Sequence, residues 1–239
     1  MNTSVNPYVS VDCVILGFDG ESLKVLLVRQ RDVAGEHATS RFKLPGSLIG
    51  MEEDLDSAAR RVLYELTGLK MASLTQFKAF GSVDRLADKE DTVWLERFHK
   101  LDKHLERIVT VAYLSLVRIN THSMHLNEAY EACWMPVNDI PRLAFDHNDI
   151  VAEAVLAVRN ISRLDKVQLF NLLPKKFTVA QLRVLLEVVS GEKYDIRNFH
   201  KRIQNMPYVV PLDEKETGVS HRAARYFKFD RKIYNKMFS

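Results

Sequence analysis

The chain has 239 residues, of which 46% are hydrophobic and 27% are charged, a composition typical of globular proteins and unlike that of disordered chains. No run approaches the roughly 20 apolar residues of a membrane span, and the first residues lack the basic and then apolar pattern of a secretory signal, so we expect a cytoplasmic protein with no membrane partner. Cys13 and Cys133 have no paired-ligand spacing, which argues against a disulfide framework and a cysteine zinc site.

The charge is divided unevenly along the chain. Residues 1–174 carry a net charge of −4 and residues 175–239 a net charge of +7, which together give +3. A basic segment suits a polyanion such as nucleic acid, although a solvated surface has the same composition.

The first part of the chain predicts strands around one well-marked helix. Residues 9–18 and 23–28 are apolar and partly alternating, with Asp19-Gly20 between them, and predict a β-hairpin. Asp54 is suited to begin a helix and Gly68 to end it, with an apolar stripe between them. Further strands are predicted at 77–80, 108–117 and 132–137, and a second helix at 147–161.

A charged insert occupies residues 86–106. Its spacing is compatible with a short exposed helix, but we interpret it as part of a loop.

The last part of the chain has the order of a DNA-binding domain. The charge balance changes at 170–176, a helix is predicted from Thr178 to Ser190, and a second helix at 196–205. Strands predicted at 208–212 and 225–229 enclose a polar loop. A helix, a turn, a helix and a two-stranded wing in this order indicate a winged helix-turn-helix.

Residues 44–69, LPGSLIGMEEDLDSAARRVLYELTGL, resemble the Nudix box, G-x5-E-x7-R-E-U-x-E-E-x-G-U with U apolar. The positions that match its charged residues are Glu53, Arg61 and Glu65. The resemblance implies an α/β/α sandwich in which helix glutamates hold a divalent metal against a nucleoside diphosphate.

Three positions depart from the box. Ser47 replaces its first glycine, and Val62 and Leu66 replace two glutamates of the metal cluster. Apolar side chains offer no oxygen to Mg²⁺, so we expect no catalytic residue, no metal site and no cofactor. Glu53, Arg61 and Glu65 then either bind a ligand or form an ion pair, Arg61 with Glu65, on the polar face of the helix.

The segments LLPKKFT, RNFHKRI and HRAARYFKF resemble the C-terminal winged helix of the Nudix-related transcriptional regulators, the NrtR group and its sugar-sensing relatives such as AraR. The resemblance implies an α/β fold with a Nudix-like α/β/α sandwich at 1–165, followed by a winged helix at 170–239. It also implies a sensor domain for a small molecule and a reader of operator DNA.

The candidate site residues form two sets. Residues expected beside the effector combine the retained box positions with charged residues on strand ends and loops, because guanidinium groups suit phosphate oxygens: Arg29, Arg31, Glu53, Arg61, Glu65, Asp84, Arg85 and Arg107. Residues expected at DNA crowd the second helix and the wing, where Asn, Arg and Lys can grip phosphates or read base edges: Arg197, Asn198, His200, Lys201, Arg202, His221, Arg222 and Arg225. Phe199 and Ile203 are expected to face inward.

The hypothesis is a homodimeric, ligand-responsive transcriptional regulator, a repressor that binds double-stranded operator DNA. Its effector is ADP-ribose, NAD or a sugar. One alternative is an active Nudix hydrolase of ADP-ribose-like nucleoside diphosphates. Another is a nucleic-acid-associated scaffold that senses nothing.

Overall fold

The structure, a computed structural model, describes residues 4–30, 41–69, 73–101, 104–119, 130–164, 167–218, 220 and 222–238. The chain divides into two compact units. The first unit comprises Met1–Leu16, Lys24–Ser115 and Asn120–Leu156, and the second comprises Gly17–Leu23, Leu116–Ile119 and Ala157–Ser239. None of the helices in these described ranges is both long and apolar enough to cross a membrane.

The N-terminal part is built on a mixed set of strands and helices. Its strands in the described residues are β1 (Val5–Phe18), β2 (Leu23–Gln30), β3 (Gly46–Gly50), β4 (Thr75–Phe80), β5 (Val109–Arg118) and β6 (Tyr130–Pro136). They form one sheet in the order β4-β5-β1-β2-β6, with β3 paired to β1. The helices are α1 (Leu55–Thr67), α2 (Lys89–Phe98) and α3 (His147–Leu164), and a short 3-10 helix lies at Val83–Leu86.

The helix α1 forms where its end signals predict it. The Asp54 carboxylate accepts from the backbone N–H of Ser57, and Gly68 ends the helix at φ +72°. Its buried face includes Val62 and Leu66, 1% and 7% exposed, and α1 packs against β3. The two residues that replace box glutamates therefore belong to the hydrophobic core.

The interpretation of the insert at 86–106 as a loop is wrong. Residues Lys89–Phe98 form α2, and Trp94 and Leu95 on it are only 7% exposed. These two side chains complete a hydrophobic cluster with Leu48, Leu105 and Ile108. Most residues of the insert are polar or charged, but Trp94 and Leu95 are adjacent apolar residues that face inward. Their burial stabilises the packing of α2 against the rest of the first unit.

The C-terminal part contains a helix-turn-helix followed by a wing. Its elements in the described residues are α4 (Val167–Phe170), β7 (Phe177–Thr178), α5 (Val179–Ser190), α6 (Ile196–Gln204), β8 (Val209–Lys215), β9 (Arg225–Phe229) and α7 (Arg231–Phe238). The strands pair in the order β7-β9-β8. Thr178 and Gln181 form a capping box at the start of α5, and Gly191 ends that helix at φ +76°.

The helix α7 was not predicted from the sequence. It follows the wing directly, and Tyr234 on it lies 5.0 Å from Tyr208 and 4.6 Å from Phe238, measured between ring centroids. Phe170 and Phe229 stack at 4.2 Å within the same aromatic group. The contacts of Tyr234 with Tyr208 and, at 5.8 Å, with Phe229 hold α7 against the winged helix, although none of its residues is buried.

Candidate functional site

A buried ionic network lies inside the first unit. Arg85 on the 3-10 helix donates to Asp12 Oδ2 from Nη2 at 2.7 Å and also pairs with Asp146. The side chains of Arg85 and Asp12 are each 4% exposed. His147 Nδ1 accepts from the Leu44 N–H at 3.0 Å, so the ring proton lies on Nε2, which faces Asp12 Oδ1 at 3.4 Å.

The network keeps Asp12 ionised. Burial alone raises the pKa of this carboxyl, but its contact with His147 Nε2 and the charge of Arg85 outweigh burial and hold the pKa well below its usual range. The register between β1 and β3 places Asp12 beside Gly46. A Cβ at Gly46 would lie 1.8 Å from Asp12 Oδ1, so only glycine allows this close approach.

Lys43 adds a second buried cation. Its Nζ lies 3.9 Å from the centre of the Trp94 ring, and the residue is only 6% exposed. Burial lowers the pKa of Lys43 to about 8, an effect that the charges of Asp12 and Asp91 oppose. The indole of Trp94 therefore provides a cation–π partner for this ammonium group.

These groups meet at a small pocket of about 20 Å³ within the first unit. Its lining is part polar and part apolar: Ser10, Asp12, Lys43, Gly46, Ser47, Arg85, Trp94, Leu95, Ile108, Phe145 and His147. Small-molecule sites are usually concave, largely apolar and supplied with a few convergent polar groups. The lining combines convergent polar groups with apolar side chains in this way, and these residues are our candidate ligand site.

The three charged side chains that match the box, Glu53, Arg61 and Glu65, bind one another. Arg61 Nε and Nη2 donate to the two carboxylate oxygens of Glu53, each at 2.8 Å, and Arg61 Nη1 lies 3.1 Å from Glu65 Oε2. The Gly50 N–H also donates to Glu53. The bond from Arg61 lowers the pKa of Glu53, and both carboxylates are engaged by the same guanidinium.

Ser47, which stands where the Nudix box has its first glycine, contacts the insert. Its hydroxyl lies 3.3 Å from His99 Nε2, just beyond α2. Burial and the charges of Lys43 and Arg61 lower the pKa of His99 to about 4. In the described parts of the chain no group of three or more His, Cys, Asp or Glu side chains is arranged to hold a metal ion.

The second unit presents an exposed basic helix face. Phe199 and Ile203 of α6 are buried, 2% and 7% exposed, as predicted. Four of the residues of α6 that are exposed to solvent are among those expected at DNA: Arg197, Asn198, His200 and Lys201. Arg202 is half-buried, and its guanidinium lies 5.1 Å from the centre of the Tyr194 ring.

A buried glutamate fixes the turn before α6. Glu187 on α5, with a side chain 5% exposed, accepts from the Tyr194 N–H at 2.9 Å and from Arg183 Nη1 at 2.6 Å. The bond from the Tyr194 N–H, helped by Arg183, lowers the pKa of Glu187 although burial opposes it. Asp195 then accepts from the Asn198 N–H and caps α6. The direction of α6 is thus set by the hydrogen bond of the Tyr194 N–H before the helix and by that of the Asn198 N–H in its first turn.

Comparison with known proteins identifies this arrangement. Residues 6–154 match the model of the NUDIX domain, and residues 169–229 match that of the NrtR DNA-binding winged helix domain. The chain belongs to the Nudix family. A Nudix domain followed by an NrtR winged helix is also the family resemblance and the fold class that the sequence predicted, and the two matches confirm both.

Similar proteins share the architecture of this Nudix chain. The ADPR responsive transcriptional repressor NtrR of Acinetobacter baylyi is 24% identical over 98% of this chain and 86% of its own. The structure of Shewanella oneidensis NrtR with a 27mer DNA covers 93% of each chain at 22% identity, with a TM-score of 0.64. A MutT/nudix family protein from Enterococcus faecalis covers 94% of this chain and 87% of its own at 20% identity, with a TM-score of 0.62.

The remaining residues predicted beside the effector are spread over the Nudix domain. Arg29 pairs with Glu131 at 2.6 Å, Arg107 donates to the Gly81 carbonyl at 3.2 Å, and Asp84 is exposed on the 3-10 helix. Arg31 lies outside the described residues. Of the eight predicted residues, Arg85 lines the pocket. The ligand-binding role of the set stays a prediction.

The wing residues differ in what they contact. Arg222 is exposed, whereas Arg225 donates to Asp213 and to the Leu212 carbonyl, both at 2.7 Å. His221 lies outside the described residues. Arg225 therefore links β8 and β9, while Arg222 and the exposed face of α6 remain the residues best placed for a polyanion.

Sequence reasoning did not identify most of the pocket. Asp12 and Lys43 carried a usable signal, since a carboxylate inside the apolar run VSVDCVILGF and a lysine directly before Leu44-Pro45-Gly46 are unusual where burial is expected. Trp94 was not singled out because it lies among charged residues in the insert, and His147 was predicted only as the start of a helix.

Proposed function

We propose that this protein is a transcriptional repressor that binds operator DNA through its winged helix and senses ADP-ribose through its Nudix domain. The observation that carries the proposal is the basic, solvent-facing side of α6, whose opposite side is anchored in the core by Phe199 and Ile203. Such a helix at the second position of a helix-turn-helix is the element that enters the major groove of DNA. The name of the A. baylyi relative supports both the repressor role and the choice of effector.

The effector is the finer part of the proposal. NAD and a sugar such as arabinose are the compounds to compare with ADP-ribose, because the sequence resemblance covers regulators that sense either class. The protein is further proposed to act in the cytoplasm as a homodimer, since winged-helix readers pair with symmetric half-sites in DNA.

We expect the Nudix domain to bind its ligand without hydrolysing it. Val62 and Leu66 are core residues, and Glu53 is held by Arg61, so the helix offers few free carboxylates to Mg²⁺. Incubation of the protein with ADP-ribose and Mg²⁺ should release no AMP above an EDTA control, as measured by chromatography. Turnover at ordinary enzymatic rates, roughly 1 to 10³ per second, would favour the hydrolase instead.

ADP-ribose is expected to release the protein from DNA. If the ligand prefers the state that does not bind DNA, linkage requires that DNA weaken ADP-ribose binding by the same factor. A coupling of about 1–3 kcal/mol corresponds to a roughly 5- to 150-fold change in affinity. Fluorescence anisotropy can measure this with a duplex that the wild-type protein selects from a random-sequence library, at fixed salt.

The same titration separates the alternatives. NAD and arabinose are the comparison ligands, and equal release by all three would argue against specific sensing of ADP-ribose. Tight binding of ADP-ribose by calorimetry without any change in DNA affinity would contradict its role as effector. Binding of DNA without binding of any of these ligands would support the alternative of a nucleic-acid-associated scaffold that senses nothing.

A further inference from the structure

We propose that Ile196, the first residue of α6, is a specificity-determining residue that contacts the 5-methyl group of a thymine in the major groove of DNA. The assignment rests on the DNA-binding function proposed above and deepens it, because it names a base that one side chain of the winged helix recognises. Charged side chains attract the phosphates of any duplex, whereas contact with a methyl group depends on the base.

The Ile196 side chain is left exposed by the fold. It is 59% exposed, although large apolar residues are mostly buried in proteins. In the part of the second unit that the structure describes, the other large apolar side chains left exposed are Met237 and Phe238, both on α7. Of these three, Ile196 lies in the helix-turn-helix, where it is available for contact with an apolar group of a ligand.

Ile196 shares one side of α6 with basic residues expected at DNA. His200 lies one helical turn after Ile196, and Lys201 lies one turn after Arg197, so the two pairs adjoin on the helix surface. All four residues are exposed. A duplex attracted by the basic side chains therefore approaches Ile196 as well.

The turn before α6 holds Ile196 in a defined position. The buried Glu187 carboxylate accepts from the Tyr194 N–H at 2.9 Å, and the Asp195 carboxylate accepts from the Asn198 N–H at 2.9 Å. The N-terminal residues of a recognition helix are those that contact base edges. Because the backbone on both sides of Ile196 is fixed by these bonds, contact with a base costs little conformational entropy.

Thymine is the standard base that carries a methyl group in the major groove. The other base edges present mainly hydrogen-bond donors and acceptors there. Contact of Ile196 with the thymine methyl removes apolar surface of both groups from water. At a base edge with only polar groups, the same side chain would displace water without replacing its hydrogen bonds, so Ile196 favours thymine.

Replacement of thymine by uracil tests the assignment, because it removes the methyl group and leaves the hydrogen-bonding groups unchanged. The duplex that the wild-type protein selects from a random-sequence library is prepared with one thymine at a time replaced, and anisotropy measures affinity at fixed salt. One thymine of each half-site should show a loss of about fourfold. This loss corresponds to about 0.8 kcal/mol, the value of one buried CH₂-sized group.

The variant Ile196→Ala identifies the side chain responsible. It should bind the unmodified duplex at least about fourfold more weakly and should no longer distinguish thymine from uracil at that position, because both changes remove the same contact. Ile196→Val should retain part of the preference. Since alanine favours helices, α6 is expected to form in Ile196→Ala. A merely structural role of Ile196 would weaken all duplexes equally and leave the preference for thymine intact.

The matched control truncates another exposed apolar side chain of the second unit. Met237 on α7 is 49% exposed. Met237→Ala should therefore leave both the affinity and the preference for thymine at their wild-type values.

The outcomes distinguish this inference from the function on which it rests. If the wild-type protein prefers the selected duplex but no uracil replacement weakens binding, or if every such effect persists in Ile196→Ala, the assignment is overturned and the proposed function stands. A selected sequence without thymine would overturn it in the same way. If the wild-type protein prefers no duplex over any other, the proposed binding of operator DNA fails as well.

Discussion

Replacing Arg85 by glutamine is expected to lower the free energy of unfolding of the first unit by about 3–5 kcal/mol, because it leaves the buried Asp12 carboxylate without its main ionic partner. Asp146, which also pairs with Arg85, loses its partner in the same substitution. Trp94 and Trp134, the two tryptophans of the chain, both lie in this unit, so denaturation followed by their fluorescence reports its unfolding.

The matched control for this variant is Arg29→Gln. Arg29 also pairs with a carboxylate at 2.6 Å, but it and Glu131 are 37% and 41% exposed. Partly exposed pairs contribute about 0–1 kcal/mol, since water screens the charges and solvates the partner that remains. An equal loss of stability in the two variants would show that the Asp12 network does not depend on Arg85.

Neutralising Arg197 and Lys201 together should weaken DNA binding about a hundredfold or more. Both side chains are exposed and lie four residues apart on one face of α6. If each contacts a phosphate, their loss lowers the slope of log affinity against log salt by about 0.9 per contact. Anisotropy titrations of Arg197→Gln/Lys201→Gln over a salt series, with the selected duplex, measure affinity and slope together.

The control pair carries the same change of charge on a different helix of the second unit. Lys232 and Lys236 are exposed and four residues apart on α7, so Lys232→Gln/Lys236→Gln repeats the spacing without touching α6. This variant should keep the wild-type slope. If the α6 variant also keeps the slope and affinity of the wild type, α6 is not the DNA-reading helix.

The sequence by itself determined the ends of α1 and α5 and the uneven distribution of charge along the chain. Asp54 with Gly68, and Thr178 with Gly191, mark the ends of α1 and α5 because caps and left-handed glycines act through neighbouring residues only. The inward positions of Phe199 and Ile203 likewise follow from the helical period.

Local sequence signals were weaker for elements stabilised by distant contacts. Residues Gly46–Gly50 form β3 because they pair with β1, more than 30 residues earlier in the sequence. The charged insert folds as α2 because Trp94 and Leu95 are buried against Leu48, Leu105 and Ile108. Charge alone predicted a loop, since the partners that bury these two residues lie on other elements.

The candidate site itself was decided by tertiary structure. Asp12, Lys43, Arg85, Trp94 and His147 come from separate segments and become neighbours only when β1, the 3-10 helix, α2 and the start of α3 pack together. From the sequence, Arg85 and Glu53 were both predicted to lie beside the effector. The fold places Arg85 in a buried pair with Asp12 and pairs Glu53 with Arg61. Burying a charged side chain is costly unless an oppositely charged group lies beside it.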